Sequence, residues 1–289
     1  MKTRFVVDSA SDIPWDYAKK NNIEVIPLKV TYYDQTYEEN EDFDLQEYYH
    51  YFQTDNKFLP KTSQPSPQEF LKVFLKLIKE GVEEIIVVTI SSNLSGTFNS
   101  ARLAQRNLKG LHPEIEVQLV DSLNASYSEV LLAERGLDLA DEGLSGEQIA
   151  EKLADHVSQI KTHLYLPTLK YLHLGGRINI AQYYLARLLG KKALVRVNKQ
   201  GKNESFGTVN DEEEGLKRVI KASTEDFSRI PEKAAIVHTN SPSLAKKLKK
   251  MVQEKIPSLK DLRIILSRTS ISAHTGPASI ALIVDHGEE

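Results

Sequence analysis

The chain has 289 residues, 40% of them hydrophobic, and a formal net charge of −3. That is enough apolar material for one large domain or two modest ones, and the balanced charge gives no reason to expect nucleic acid as a partner. It contains no cysteine, which excludes disulfides, thiolate metal sites and a cysteine nucleophile, and suits a cytoplasmic location.

Arg4 to Asp8 reads as a first strand, entered directly from Met1 without a leader. Asp12 is expected to cap a helix that begins near Pro14. Glu24 to Tyr32 reads as one strand, and Leu45 to Phe52 as a helix with an aromatic stripe behind an Asp44 cap. Ser66-Pro67-Gln68-Glu69 joins a capping box to a proline in the first turn, so a helix runs from there to about Glu80 and ends at Gly81. Glu84 to Thr89 is an apolar, β-branched run of the kind buried in parallel sheets. A helix follows from Phe98, then a strand from Ile115 to Val120. Asp121-Ser122 opens a helix over about Ala125 to Ala140, and Ser145-Gly146-Glu147-Gln148 opens another. Alternating strands and helices predict a mostly parallel sheet.

The pattern changes near residue 160. His163 to Leu166 is a strand, Leu169 to Leu174 ends at Gly175-Gly176-Arg177, and Ala181 to Leu189 is helical. Ala193 to Asn198 and Glu204 to Val209 are strands around the turn Gln200-Gly201-Lys202. Asp211 caps a helix, Ser241-Pro242 starts one between strands at Ala234 to His238 and Leu262 to Leu266, and Ile280 to Val284 closes the chain. A domain boundary is therefore expected at residue 160, giving domains 1–160 and 161–289. No apolar run is long enough to span a membrane.

Two loops carry the chemistry. Ile90-Ser91-Ser92-Asn93-Leu94-Ser95-Gly96-Thr97 lies where a strand ends and a helix begins, and Thr62-Ser63-Gln64-Pro65-Ser66-Pro67 precedes another helix. In open α/β sheets such junctions bind ligands, and free N–H groups at a helix start favour an anion. The two loops are placed to converge on one carboxylate or phosphate. Gly190-Lys191 lacks the earlier glycine of a P-loop, and Gly-x-Gly-x-x-Gly is missing. Eight histidines are scattered without metal-ligand spacing, so no metal centre is expected. The acidic runs Glu38-Glu39 and Asp211 to Glu214 read as solvated.

Ser95 is also a candidate hydrolase nucleophile with His274 and Asp121 as partners. Asn93 and Thr97 stand where a nucleophile elbow would need glycine. Ser95 and Thr97 have a plainer alternative as helix caps. Arg177, beside two glycines, can present a planar fork to a carboxylate or phosphate, or stand solvated after a helix end. His274 in His274-Thr275-Gly276-Pro277 is a further candidate for site or scaffold.

These motifs together resemble the DegV family of fatty-acid-binding proteins over essentially the whole chain. The residues that carry the resemblance are Val7-Asp8-Ser9-Ala10-Ser11-Asp12, Thr62-Ser63-Gln64-Pro65-Ser66, Ser91-Ser92-Asn93-Leu94-Ser95-Gly96-Thr97, Asp121-Ser122, Gly175-Gly176-Arg177-Ile178 and His274-Thr275-Gly276-Pro277. It implies two α/β domains, a three-layer α/β/α sandwich on a parallel sheet and a two-layer domain on a mixed sheet. A long-chain fatty acid would lie between them with its tail in the second, as the bound ligand and with no cofactor. Family members in bacteria are the acyl-binding subunit of a fatty acid kinase and present the carboxylate to a separate ATP-binding subunit, where acyl phosphate forms. The carboxylate contacts fall on Thr62 and Ser95. Arg177 and His274 match polar positions around the head group, and Ser63, Ser92, Thr97 and Thr275 complete that region. Transient membrane contact fits a lipid carrier.

The chain departs from the family pattern at Ala278, where glycine is usual. It departs again at His173-Leu174, where a lysine or arginine commonly precedes the glycines, and around Tyr127-Ser128-Glu129. Ile178, Ile180, Tyr183, Tyr184, Leu185, Leu188 and Leu189 are expected to supply tail-tunnel surface. The rival readings are a serine esterase or lipid hydrolase using Ser95 and His274, and a lipid sensor without a kinase.

Overall fold

The computed structural model describes residues 2–55, 57–188, 190–225 and 230–287. In chain order, the first half contains β1 (Thr3–Asp8), α1 (Trp15–Lys20), β2 (Ile23–Ile26), β3 (Lys29–Tyr32), β4 (Gln35–Glu38), α2 (Leu45–Thr54) and β5 (Lys61–Ser63). It continues with α3 (Pro67–Lys79), β6 (Glu84–Thr89), α4 (Thr97–Leu111), β7 (Glu116–Asp121), α5 (Ser128–Asp141) and α6 (Gly146–His156). β2-β1-β6-β7 form a parallel sheet. Side chains alternate across it, as the pleat requires. Val6, Ile85 and Val87 pack with Phe70 and Phe74 of α3 and Ala101 and Ala104 of α4. Phe5, Val7, Ile86 and Val88 face the opposite way and pack with Val130 and Leu131 of α5 and Ile149 and Leu153 of α6. Helices thus cover both faces of the sheet.

The capping box at Ser66 and Glu69 forms as expected, and Asp44 accepts from Glu47 N at 2.8 Å. Three expectations change. The run from Glu24 to Tyr32 is two strands, because Pro27 has no N–H to give a ladder. β2 stays in the parallel sheet, and β3 turns away into a three-stranded antiparallel sheet, β4-β3-β5, backed by aromatic residues of α2. Asp12 does not cap α1. It is left-handed (φ 56°) after the short turn Ser9–Ser11, and its carboxyl points into the interior. The segment after Asp121 turns before α5 starts at Ser128, with Leu123 and Ser126 at φ 44° and 61°.

The second half contains β8 (Ile160–Leu166), α7 (Lys170–Leu174), α8 (Ile180–Leu188), β9 (Lys192–Val197), β10 (Asn203–Val209) and α9 (Glu212–Thr224). After these come β11 (Lys233–His238), α10 (Pro242–Lys255), β12 (Asp261–Leu266), α11 (Thr269–Thr275) and β13 (Ile280–Asp285). The sheet order is β10-β9-β8-β13-β11-β12, all antiparallel except the β11–β12 pair. Ile236, Leu282 and Val284 face α9 and α10, whereas Ala235, Val237, Ala281 and Ile283 join the core shared with the first sheet's α5. No helix among the described residues is long and apolar enough to cross a membrane.

Candidate functional site

A cavity lies where these two sheets approach each other. Ala10 and Ile90, just past the carboxyl ends of β1 and β6, line one side, and Leu164, Val237 and Ala281 of the mixed sheet line the other. The free volume inside it is about 80 Å3, within about 830 Å3 of non-atom space that includes open solvent. Ligands of open α/β sheets sit beyond the carboxyl ends of the strands, and this cavity does so.

Thr62, Ser95, Arg177, His274 and Thr275 all line this one cavity. Thr62 is carried by β5, paired to β3 through Val30. Strand alternation turns its side chain inward and leaves Ser63 exposed on the other side. His274, near the end of α11, places Nε2 2.7 Å from Thr62 Oγ1. Burial, then the nearby Arg177 cation, pushes the imidazole down to about 4. The ring is therefore neutral near pH 7. Its Nδ1 is buried without a partner among the described residues. A buried N–H there would be an orphan donor, so the proton belongs on Nε2. Nε2–H donates to Thr62 Oγ1, and the Thr62 hydroxyl hydrogen is left to point into the cavity.

Ser95 sits two residues before the first turn of α4. Its Oγ lies 2.8 Å from the buried Thr97 Oγ1, and its N–H donates to Ser91 O at 3.0 Å. With Thr97 as the donor, the Ser95 hydroxyl is also free to turn to a ligand near the helix's positive end. Arg177 is half-buried, and its Nε donates to Leu94 O at 3.1 Å. A second bond runs from Nη1 to Gly175 O. Burial holds the guanidinium below its usual range. Gly175 is required by close approach, since a Cβ there would lie 2.2 Å from His274 Nδ1. Gly201 plays the matching part in the β9–β10 turn. Its carbonyl accepts from Ser91 Oγ at 2.9 Å, and Asn93 Nδ2 reaches Gln200 O at 2.9 Å. The hydroxyl loop is thus pinned to the second sheet.

Other expected residues fall elsewhere. Ser92 is exposed, its N–H on Asp121, and Thr97 lies behind Ser95 rather than on the cavity. The hydrolase arrangement does not assemble. His274 is engaged with Thr62, Ser95 with Thr97, and Asp121 accepts from the backbone of Ser92 and Leu123. Ile178 is buried in the core, Ile180 and Tyr184 are exposed, and Tyr183 stacks on His173 at 4.1 Å; none lines the cavity. The side chains of Leu185 and Leu188, and the whole of Leu189, lie outside the described residues. The apolar wall comes instead from β8, β11 and β13, whose pattern alone is that of any core strand.

The carboxyls behind the wall escape sequence reading. Glu39, expected to be solvated, is 1% exposed. It accepts from Ser9 Oγ and Thr269 Oγ1 at 2.6 Å, from Ser270 N at 2.9 Å, and from Ser270 Oγ. Asp12 accepts from Arg268 N and Ser126 Oγ. Burial, countered by these bonds, pushes Asp12 up to about 7. Ser126, Ser267 and Ser270 line the cavity with their hydroxyls turned back to these carboxyls. The partners are far apart in sequence, so only the seryl-rich motif near Asp12 hints at them.

A largely apolar cavity between the parallel and mixed sheets, with neutral hydroxyls among its lining, has the character of a pocket for a small amphipathic molecule. The chain belongs to the DegV family: the matching family description, "Uncharacterised protein, DegV family", covers residues 2–286. A DegV domain-containing protein of Staphylococcus aureus is 30% identical over 284 residues, 98% of each chain. A fatty acid-binding protein of Thermotoga maritima is 27% identical over 290 residues, covering 99% of this chain and 98% of the relative. The solved structure of a DegV family protein from Thermus thermophilus, described as showing fatty acid binding, superposes with a TM-score of 0.87. It is 26% identical and covers 99% of this chain and 100% of its own.

Proposed function

We propose that this protein binds one long-chain fatty acid in the cavity, with the carboxylate held by Thr62 and Ser95 and the tail against β8, β11 and β13. The observation that carries the reading is that Thr62 and Ser95, from two separate loops, both line one largely apolar cavity. Fatty acid binding by the Thermotoga and Thermus relatives supports it. Each buried methylene contributes roughly 0.8 kcal/mol, so the tail dominates affinity. Hydroxyl bonds to the charged head add about 1.5–3 kcal/mol each before desolvation and set the orientation. Neutral donors leave the carboxylate nucleophilic where a paired lysine would blunt it.

In this reading the protein is a cytoplasmic carrier without catalysis of its own. Residues 1–160 supply the head-group loops and residues 161–289 enclose the tail. It presents the carboxylate to a separate kinase subunit, which forms acyl phosphate with ATP. This partner rests on the resemblance to the DegV family. Arg177, half-buried on the cavity wall, offsets negative charge as the carboxylate meets the nucleotide phosphates. Transient contact with a membrane loads or unloads the lipid.

The test is native mass spectrometry of the purified protein followed by lipid extraction, then acyl-phosphate formation with a purified fatty acid kinase catalytic subunit. A co-purifying fatty acid and kinase-dependent acyl phosphate are expected. Unchanged turnover in both Thr62→Ala and Ser95→Ala would reject the head-group assignment.

A further inference from the structure

Along the cavity face of the mixed sheet, side chains fall in three rows. Thr239 lies beside Ser279, next come Val237, Ala281 and Leu164, and then Ala235, Ile283 and Thr162. The first row adjoins the end of α11, where Ser279 Oγ donates to Thr275 O. From Ser279 to Ile283 the strand advances four residues, about 13 Å. Thr162 therefore sits in the cavity wall two rows from the end of α11, where a long ligand bound as proposed places its mid-chain.

Its surroundings are apolar: Leu164, Val197, Val237 and Ala281 line the cavity with it. Thr162 is 3% exposed, and its Oγ1 is buried without a hydrogen-bond partner among the described residues. Away from Thr62 and Ser95, the other wall hydroxyls named here are satisfied by the protein itself. Ser126 donates to Asp12, Ser270 to Glu39, Thr239 to Gly276 O and Ser279 to Thr275 O. Valine would fill the same space with no polar atom to leave unsatisfied. A hydroxyl buried in the wall of an apolar chamber without a protein partner is favourable when the occupant answers it.

We propose that Thr162 is a mid-chain polar subsite, and that the cavity prefers a fatty acid carrying a hydroxyl partway along its chain to the unsubstituted acid. This rests on the reading of the cavity as a fatty-acid site. A site with a hydrogen-bonding group discriminates strongly against a ligand lacking the partner, because the protein group is then left unpaired.

The test is displacement of a fluorescent fatty acid by stearate and by a panel of monohydroxystearates with the hydroxyl moved along the chain. The wild-type protein should bind one mid-chain isomer at least roughly fivefold more tightly than stearate, the scale of one net hydrogen bond. Thr162→Val should abolish that preference while binding stearate at least as well. Thr162→Ser should keep it, which separates the hydroxyl's role from packing, and melting curves check that both variants fold. A hydroxystearate-to-stearate ratio unchanged by Thr162→Val overturns the proposal, as does a water satisfying Oγ1 in the hydroxystearate complex. If stearate and every other chain fail to bind, the fatty-acid reading itself falls and takes this proposal with it.

Discussion

His274 Nε2 lies 2.7 Å from Thr62 Oγ1, joining residues 212 positions apart in the chain. The bond couples α11 to β5 and sets which way the Thr62 hydroxyl hydrogen points. The donor role of Thr62 thus depends on a ring that belongs to a different part of the fold.

Removing either partner should weaken fatty acid binding, and the two losses should not add. Thr62→Val is expected to cost about 10- to 100-fold in affinity, the scale of a hydrogen bond to a charged group. His274→Ala should cost less. A double-mutant cycle by calorimetry should give a coupling above roughly 0.5 kcal/mol. Additive losses would show that the ring does not orient the hydroxyl.

Gly175 and Gly176 should separate site from scaffold. A Cβ on Gly175 meets His274 Nδ1 at 2.2 Å, whereas one on Gly176 meets nothing within 4 Å. Gly175→Ala should therefore reduce affinity much as loss of His274 does. Gly176 has φ 73°, so Gly176→Ala should lower stability by about 1 kcal/mol and leave affinity alone. Urea titration beside ligand titration of each variant distinguishes the two effects.

Ala278, where the family pattern has glycine, is held at φ 57°. A left-handed alanine costs about 1 kcal/mol, partly offset by the greater freedom of an unfolded glycine. Ala278→Gly is expected to raise the urea midpoint modestly without changing ligand affinity. A lower midpoint would mean that Ala278 contributes packing that outweighs the backbone strain.

Burial pushes the Asp8 and Asp12 carboxyls from 3.8 up to about 7, against the pull of their hydrogen bonds. Between about pH 4 and 7 the folded chain then binds more protons than the unfolded one. The stabilisation is complete below the unfolded pKa and is lost as pH rises through the folded pKa. His274 runs the other way. With its pKa lowered to about 4, it favours the folded state progressively as pH rises from about 4 to 6.5. Asp12→Asn should remove its own share of the falling contributions. The variant's stability relative to wild type should therefore improve as pH rises from about 5 to 7 and level off above it in urea melts. A constant difference would show that Asp12 is ionised throughout.

Local signals were the most readable part of this chain. The Ser66–Glu69 capping box, the Asp44 cap and the buried run of β6 are fixed by neighbours within a few residues, and each lies where its residues indicate. The loops bearing Thr62 and Ser95 were legible for the same reason, because a strand end before a helix start is a local arrangement. What was hidden depends on distant partners. Glu39 looks like any surface acid until Thr269 and Ser270, some 230 residues on, come to meet it. The apolar pattern points to the region around α8 for the cavity wall, yet Ile178, Ile180, Tyr183 and Tyr184 lie off the cavity, because core strands and ligand-facing strands share one apolar pattern. Only the rows of β8, β11 and β13 show which of them face the cavity.

The most direct measurement is a crystal structure of the protein with a long-chain fatty acid bound. The account predicts one carboxylate within hydrogen-bond distance of both Thr62 Oγ1 and Ser95 Oγ, with the acyl chain running along β8, β11 and β13 past Thr162. A chain seated outside the cavity, or a carboxylate buried at the Thr162 end with the tail toward His274, would contradict it.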